Sequence, residues 1–128
     1  MPKQQGLKGP TQRQLRVGEM IRHAFADILW RSGIADPELQ PGKVTVTEVR
    51  LSPDLRDAVI FALPFGGGDT KALKDALARN QRFLRGELAK RVDLKYMPSL
   101  SFQIDETFDE AARIDAILRS PDVSRDLD

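Results

Sequence analysis

The spacing of apolar residues switches repeatedly along this chain, and few architectures bury such a series. Val17, Ile21, Ala24, Phe25 and Ile28 recur at helical spacing. Just before them, Thr11-Gln12-Arg13-Gln14 has the form of a capping box, the Thr11 hydroxyl accepting from the Gln14 amide while the Gln14 side chain reaches back. A helix is therefore expected from there to about Arg31, ending at Ser32-Gly33. Ile34 to Gly42, with two prolines and two acids, reads as a connecting loop. KVTVTEVRL, Lys43 to Leu51, is rich in β-branched residues and alternates with a phase slip between Val46 and Val49, which predicts a bulge near Thr47-Glu48. Ser52-Pro53-Asp54 supplies a turn, and Asp57 to Leu63 follows as a second, antiparallel strand with Val59, Phe61 and Leu63 on one face.

Phe65-Gly66-Gly67-Gly68 interrupts the pattern, and Asp69 or Thr70 is placed to cap a helical stretch that runs to Val92 and stops before Tyr96-Met97-Pro98. Leu100, Phe102 and Ile104 alternate with Ser99, Ser101 and Gln103 as a third strand. Thr107-Phe108-Asp109-Glu110 is a second capping pattern, opening a helix that buries Phe108, Ala111, Ile114 and Leu118. The economical solution is an α+β fold in which helices cover one face of a three-stranded sheet. Residues 1–10 read as a mobile tail, 11–119 as one folded domain and 120–128 as an acidic tail, and 128 residues suit a single core.

Several chemistries are excluded or disfavoured. The chain has no cysteine and one histidine, so disulfides and zinc sites built on thiolates or histidine clusters are out. His23 falls on the polar side of the first helix, where a solvated histidine with no partner is expected. Gly66-Gly67-Gly68-Asp69-Thr70 lacks the lysine and spacing of a phosphate-cradling P-loop and reads as a flexible connection with an N-cap. Asp105-Glu106 and Asp109-Glu110 are accounted for by helix capping and the favourable charge at a helix N-terminus. No enzyme, cofactor or metal is expected. The longest apolar run, Ala58 to Leu63, is too short for a membrane span, and the N-terminus lacks the apolar segment of a secretory signal, so a cytoplasmic location is expected. Trp30 either folds onto the Ile34–Pro37 loop or stands exposed for a partner. With six phenylalanines, one tyrosine and one tryptophan, mostly in core-like positions, base stacking is disfavoured.

Charge is segregated. Between Lys71 and Lys95 eight lysines and arginines face three acids, whereas between Asp105 and Asp128 eight acids face three arginines. Within ALARNQRFLRGELAKRV, Leu73, Leu77, Leu84 and Leu88 define a buried stripe on which Asn80 takes the place of a leucine. Lys71, Lys74, Arg79, Arg82, Arg85 and Lys90 gather on the adjoining arc. One reading is a bent helix with a solvated charged face. The other is a break at Asn80, where asparagine caps a helix restarting near Gln81 and the freed amides and arginines bind phosphate.

Four segments carry a family resemblance: RVGEMIRHAFADIL, VTVTEVRLSPDLRDAVIF, RFLRGELAKRVDLKYMPSLSFQID and DEAARIDAILR. Together they resemble the ribosome-binding factor A family of bacteria over roughly residues 11–119. The resemblance implies a KH-like domain of type II topology, in the order α-β-β-α-α-β-α. It also implies a non-catalytic, monomeric factor that binds the 30S subunit through 16S rRNA, assists its maturation, and is released by a ribosome-dependent GTPase. The family carries an Ala-x-Gly kink before Phe-(Ile/Leu)-Arg; here Phe83-Leu84-Arg85 matches, but Asn80-Gln81-Arg82 occupies the kink position. Expected RNA contacts are Arg13, Arg16 and Arg22 of the first helix, the arc residues named above, Asn80 and Gln81 at the kink, and Arg91 and Lys95 beyond it. A second functional hypothesis is a protein-interaction module built on the acidic C-terminal helix and tail, with RNA binding incidental.

Overall fold

The computed structural model describes residues 9–106. Helix α1 (Gln12–Arg31) is followed by a 3₁₀ turn (Pro37–Leu39), strands β1 (Val44–Leu51) and β2 (Asp57–Pro64), helices α2 (Thr70–Arg79) and α3 (Gln81–Arg91), and strand β3 (Ser99–Ile104). The strands form one sheet in the order β1-β2-β3, antiparallel between β1 and β2 and parallel between β2 and β3. This is the expected α+β arrangement, with a mixed three-stranded sheet. The helix expected beyond Thr107 and both expected tails, apart from Gly9 and Pro10, lie outside the described residues. Among those described, no helix is long and apolar enough to cross a membrane, and no group of three or more histidines or carboxylates could hold a metal ion.

Local chemistry explains the element boundaries. Thr11 and Gln14 form the capping box at the start of α1, and the Gln14 side-chain amide also donates to the Leu51 carbonyl at 2.9 Å, tying the helix to the end of β1. At the other end Gly33 adopts φ +61°, a left-handed conformation that costs glycine little. In β1 the register shifts between Val46 and Glu48, leaving Thr47 as the extra residue. That bulge lets Val46 and Val49, three apart, both face the core. The Asp69 carboxylate accepts from the Lys71 and Ala72 amides and caps α2, so the glycine-rich stretch is a connection and a cap.

The core lies between one face of the sheet and the helices. β2 contributes Ala58, Ile60 and Ala62, each fully buried, which leaves Val59, Phe61 and Leu63 on the opposite face. There the Arg50 guanidinium sits 4.9 Å from the centre of the Phe61 ring. The helices supply Ile21, Phe25 and Ile28 from α1 and Leu73, Leu77, Leu84 and Leu88 from the α2–α3 stripe. Phe25 meets Phe102 with ring centroids 5.9 Å apart. The stretch after α1 differs from a simple connection, because Ile34 and Leu39 are both core residues and Leu39 is fully buried.

Position 18 sets how closely α1 approaches β1. A Cβ there would stand 2.6 Å from the Val49 carbonyl oxygen, a backbone atom that cannot swing aside. At Gly86, inside α3, a Cβ would meet nothing within 4 Å. The same substitution is therefore expected to have opposite signs at the two sites. Gly86→Ala should stabilise the fold by about 0.5–1 kcal/mol through helix propensity alone. Gly18→Ala should destabilise it, because overpacking costs of about 1–3 kcal/mol exceed that gain. Denaturant titration of the two variants would check this, and a stabilised Gly18→Ala would contradict the packing described.

Candidate nucleic-acid interface

The helical stretch from Thr70 to Arg91 is broken at one residue. Asn80 has φ −102° and ψ 13°; its amide donates to the Ala76 carbonyl at 3.0 Å, and its own carbonyl accepts from the Leu84 amide at 2.9 Å. The backbone thus passes from α2 into α3 with one residue out of helical register. The expected capping role of the asparagine side chain is corrected by the structure. An N-cap residue is normally extended, and at ψ 13° the Asn80 side chain does not reach forward to the amides of α3. Instead its Nδ2 turns back, donating to the Ala76 carbonyl at 2.8 Å and to Asp36 Oδ2 at 2.9 Å.

Asp36, in the stretch after α1, gathers donors on both carboxylate oxygens. Oδ1 accepts from the Glu38 amide at 3.1 Å; Oδ2 accepts from Arg79 Nε at 3.1 Å and Nη2 at 2.8 Å, in addition to Asn80. The aspartate side chain is 9% exposed and that of Arg79 57%. The Arg79 hydrogen bonds are the main reason the Asp36 carboxyl is held below its ordinary value, with the Glu38 and Asn80 amides adding to the effect and burial opposing it. Nothing in the sequence pattern joins Asp36 to Asn80. The one available signal was Asp-Pro, a cap for the short Pro37–Leu39 turn.

The other cations separate into two groups. Arg85 donates to the Pro98 and Met97 carbonyls at 3.2 and 3.1 Å, holding the segment that leads into β3. Gln81 donates to the Leu100 carbonyl. Arg91, 26% exposed, bonds to Asp27, Glu87 and Ser32 and fastens α3 to α1. Lys90 pairs with Glu87, Lys71 with Asp75 and Arg22 with Glu19, while Lys95 lies over the Tyr96 ring at 5.6 Å. Those pairs hold the Glu87, Asp75 and Glu19 carboxyls below their ordinary values. By contrast Arg13, Arg16, Lys74 and Arg82 are exposed and enter no ion pair among the described residues.

Three of those four share one end of the molecule. Leu51, Ala58 and Leu100 are in register across the sheet. Gln14 of α1 bonds the Leu51 carbonyl and Gln81 of α3 the Leu100 carbonyl, so both helices begin at this level. Strands β1 and β3 are separated by two inter-strand spacings, roughly 10 Å. Arg13 and Arg16 in the first turns of α1 and Arg82 in the first turn of α3 therefore belong to the same end, where the N-terminus of α1 adds positive potential. Phe83, beside Arg82, is 43% exposed. With Trp30, Phe65 and Tyr96 it corrects the expectation of mostly core-like aromatic residues, since these four are all exposed. Trp30 is the exposed alternative: it is 61% exposed, with its ring edge close to Gly42. His23 is exposed, as expected, but it is not without partners: its Nε2 lies 3.7 Å from Glu19 Oε1 and 3.4 Å from Arg22 Nη2.

A family model described as ribosome-binding factor A matches residues 13–118. The chain belongs to the ribosome-binding factor A family. A family member from Afipia carboxidovorans is 57% identical over 119 residues, covering 93% of this chain and 84% of that protein. The crystal structure of ribosome-binding factor A from Thermus thermophilus superposes with a TM-score of 0.61 at 27% identity, over 71% of this chain and 94% of that one. A model of the Thermus thermophilus factor fitted into a cryo-electron microscopy map of a 30S complex matches with a TM-score of 0.52 at 27% identity, over 67% of this chain and 88% of that one.

The break in this family member has a pH signature. A carboxyl whose folded value is depressed stabilises the fold fully above its unfolded value, about 3.9 for aspartate, and that stabilisation is lost as pH falls through the folded value. Asp36→Asn should therefore lower stability at pH 7 by about 1–2 kcal/mol, less than a fully buried charged hydrogen bond because Arg79 is solvated. The gap between wild type and variant should close as pH falls from about 5 towards 3. Thermal midpoints measured across that range test the assignment, and a gap independent of pH would refute it.

Proposed function

We infer that this chain is a non-catalytic assembly factor that binds the small ribosomal subunit and assists maturation of 16S rRNA. Membership of the family supports the reading, as does the Thermus thermophilus relative fitted into a 30S complex. The observation that carries the RNA-facing surface is that Arg13, Arg16 and Arg82, exposed and without ion pairs among the described residues, lie at the end of the sheet where α1 and α3 begin. RNA phosphates compete poorly for a guanidinium already held by carboxylates or carbonyls. These three therefore take the phosphate contacts, and Lys74 adds a fourth cation on α2. Arg79, Asn80 and Gln81 shape the break, Arg85 holds the segment leading into β3, Arg91 fastens α3 to α1, and Lys71, Lys90, Lys95 and Arg22 contribute field more than direct contacts. Recognition rests on backbone and shape, with the Phe83 ring available to one base beside Arg82. Release by a ribosome-dependent GTPase completes the cycle that this family membership implies.

The test is co-sedimentation with purified small subunits across about 50–200 mM salt, comparing wild type with Arg13→Glu/Arg16→Glu/Arg82→Glu. Loss of three phosphate contacts should flatten the slope of log affinity against log salt by about 2–3 units, at roughly 0.7–0.9 per contact. None of the three side chains supports the fold through an ion pair, so the variant should keep its thermal midpoint. A folded triple variant that binds with unchanged salt dependence would rule this surface out.

A further inference from the structure

We propose that Asp36 is a positioning residue for RNA: acting through Asn80 and Arg79, its carboxylate fixes the direction in which α3 leaves α2, and so where Arg82 is presented. The inference rests on the RNA-facing surface proposed above. Asp36 is 44 residues from Asn80 in sequence, yet three donors from the break converge on its single oxygen Oδ2. The segment that carries it is itself fixed. Its carbonyl accepts from the Leu39 amide at 3.0 Å and from Gln40 Nε2 at 2.8 Å, and the same Gln40 nitrogen donates to the Ile34 carbonyl at 2.6 Å. Leu39 anchors the segment in the core with no exposure. Asp36 is thus a rigid post standing beside a single-residue break.

The break is held on its other side as well, by Gln81 on the Leu100 carbonyl. The two tethers fall on adjacent residues, Asn80 and Gln81, and Arg82 follows directly. A helix break without tethers has soft torsions, and a modest rotation at Asn80 displaces the Arg82 guanidinium at the far end of its long side chain. Phosphate recognition by an arginine fork depends on such placement. The family's glycine is absent at position 82, and Asn80 has negative φ, so side-chain tethers supply the geometry here in place of backbone permissiveness.

A double-mutant cycle on the full-length chain tests this. Asp36→Ala, Asn80→Ala and the double variant are compared by co-sedimentation with purified small subunits and by amide spectra of Arg82, Phe83 and Leu84. Each single change should weaken binding about three- to tenfold, with the double variant no weaker than the worse single one, because both remove one linkage. Amide resonances after the break should shift in each single variant while those of the sheet stay in place. If Asp36→Ala does not fold, Asp36→Asn replaces it, since its remaining carbonyl oxygen can still accept from the Glu38 amide. Unchanged binding in a folded variant, losses that add in the double variant, or amides that do not move would each overturn the proposal. Should the Arg13/Arg16/Arg82 variant bind normally, the surface assignment fails, while the amide spectra still decide whether Asp36 sets the break.

Discussion

Helix α1 can lie against β1 at this distance only because position 18 has no side chain. The helix backbone comes close enough that a single methyl would collide with the Val49 carbonyl. Much of the remaining architecture depends on that approach. It places Ile21, Phe25 and Ile28 over Ile60 and Phe102 and shields an edge strand from pairing with other chains. It also sets the height at which α1 ends, and hence where the chain turns back through Ile34 and Leu39. Asp36 sits between those two anchors. Its position beside Asn80 therefore follows from the packing of an element more than ten residues earlier, and so does the direction of α3.

The cations of the α2–α3 region divide according to how much structure each one holds. Arg79, Arg85 and Arg91 use planar guanidinium groups to bridge elements distant in sequence: to Asp36, to the Pro98 and Met97 carbonyls, and to Asp27 with Ser32. A lysine has one compact donor group and would bridge such partners less well. Lys71 and Lys90 pair locally at helical spacing, where exposed ion pairs contribute little to stability. A net charge of +5 over Lys71 to Lys95 thus overstates what is free for a polyanion. Arg82, Lys74 and Lys95 remain without an ion pair among the described residues, and the further cations come from the other end of the sequence, in α1.

Local patterns in the sequence were legible, and long-range polar linkages were not. The capping box at Thr11 and Gln14, the bulge at Thr47 and the break at Asn80 each have a cause within a few residues, so pattern and propensity suffice to find them. The core face of β2 was harder to assign. Val59, Phe61 and Leu63 are bulkier than Ala58, Ile60 and Ala62, yet the small residues face the helices because the elements there pack closely. The role of Asp36 was out of reach for a different reason. A carboxylate in a Pro-containing loop looks solvated in sequence, and only the fold brings a second chain segment to neutralise it. The same limit applies to the candidate interface, where the arc of cations was visible but its internal partners were not.

Asparagine at the break trades one kind of preorganisation for another. Glycine allows a kink by removing steric penalties, and leaves the backbone free to adopt neighbouring conformations. Asn80 keeps a right-handed backbone and uses one nitrogen to satisfy the Ala76 carbonyl and to reach Asp36. That closes α2 without the left-handed residue that commonly ends a helix. Because Nδ2 has two hydrogens and both are used, the side chain is held in one orientation, and so is the following peptide that begins α3. A break held in this way loses less conformational entropy when a phosphate arrives, and its affinity depends correspondingly more on the tethers staying intact.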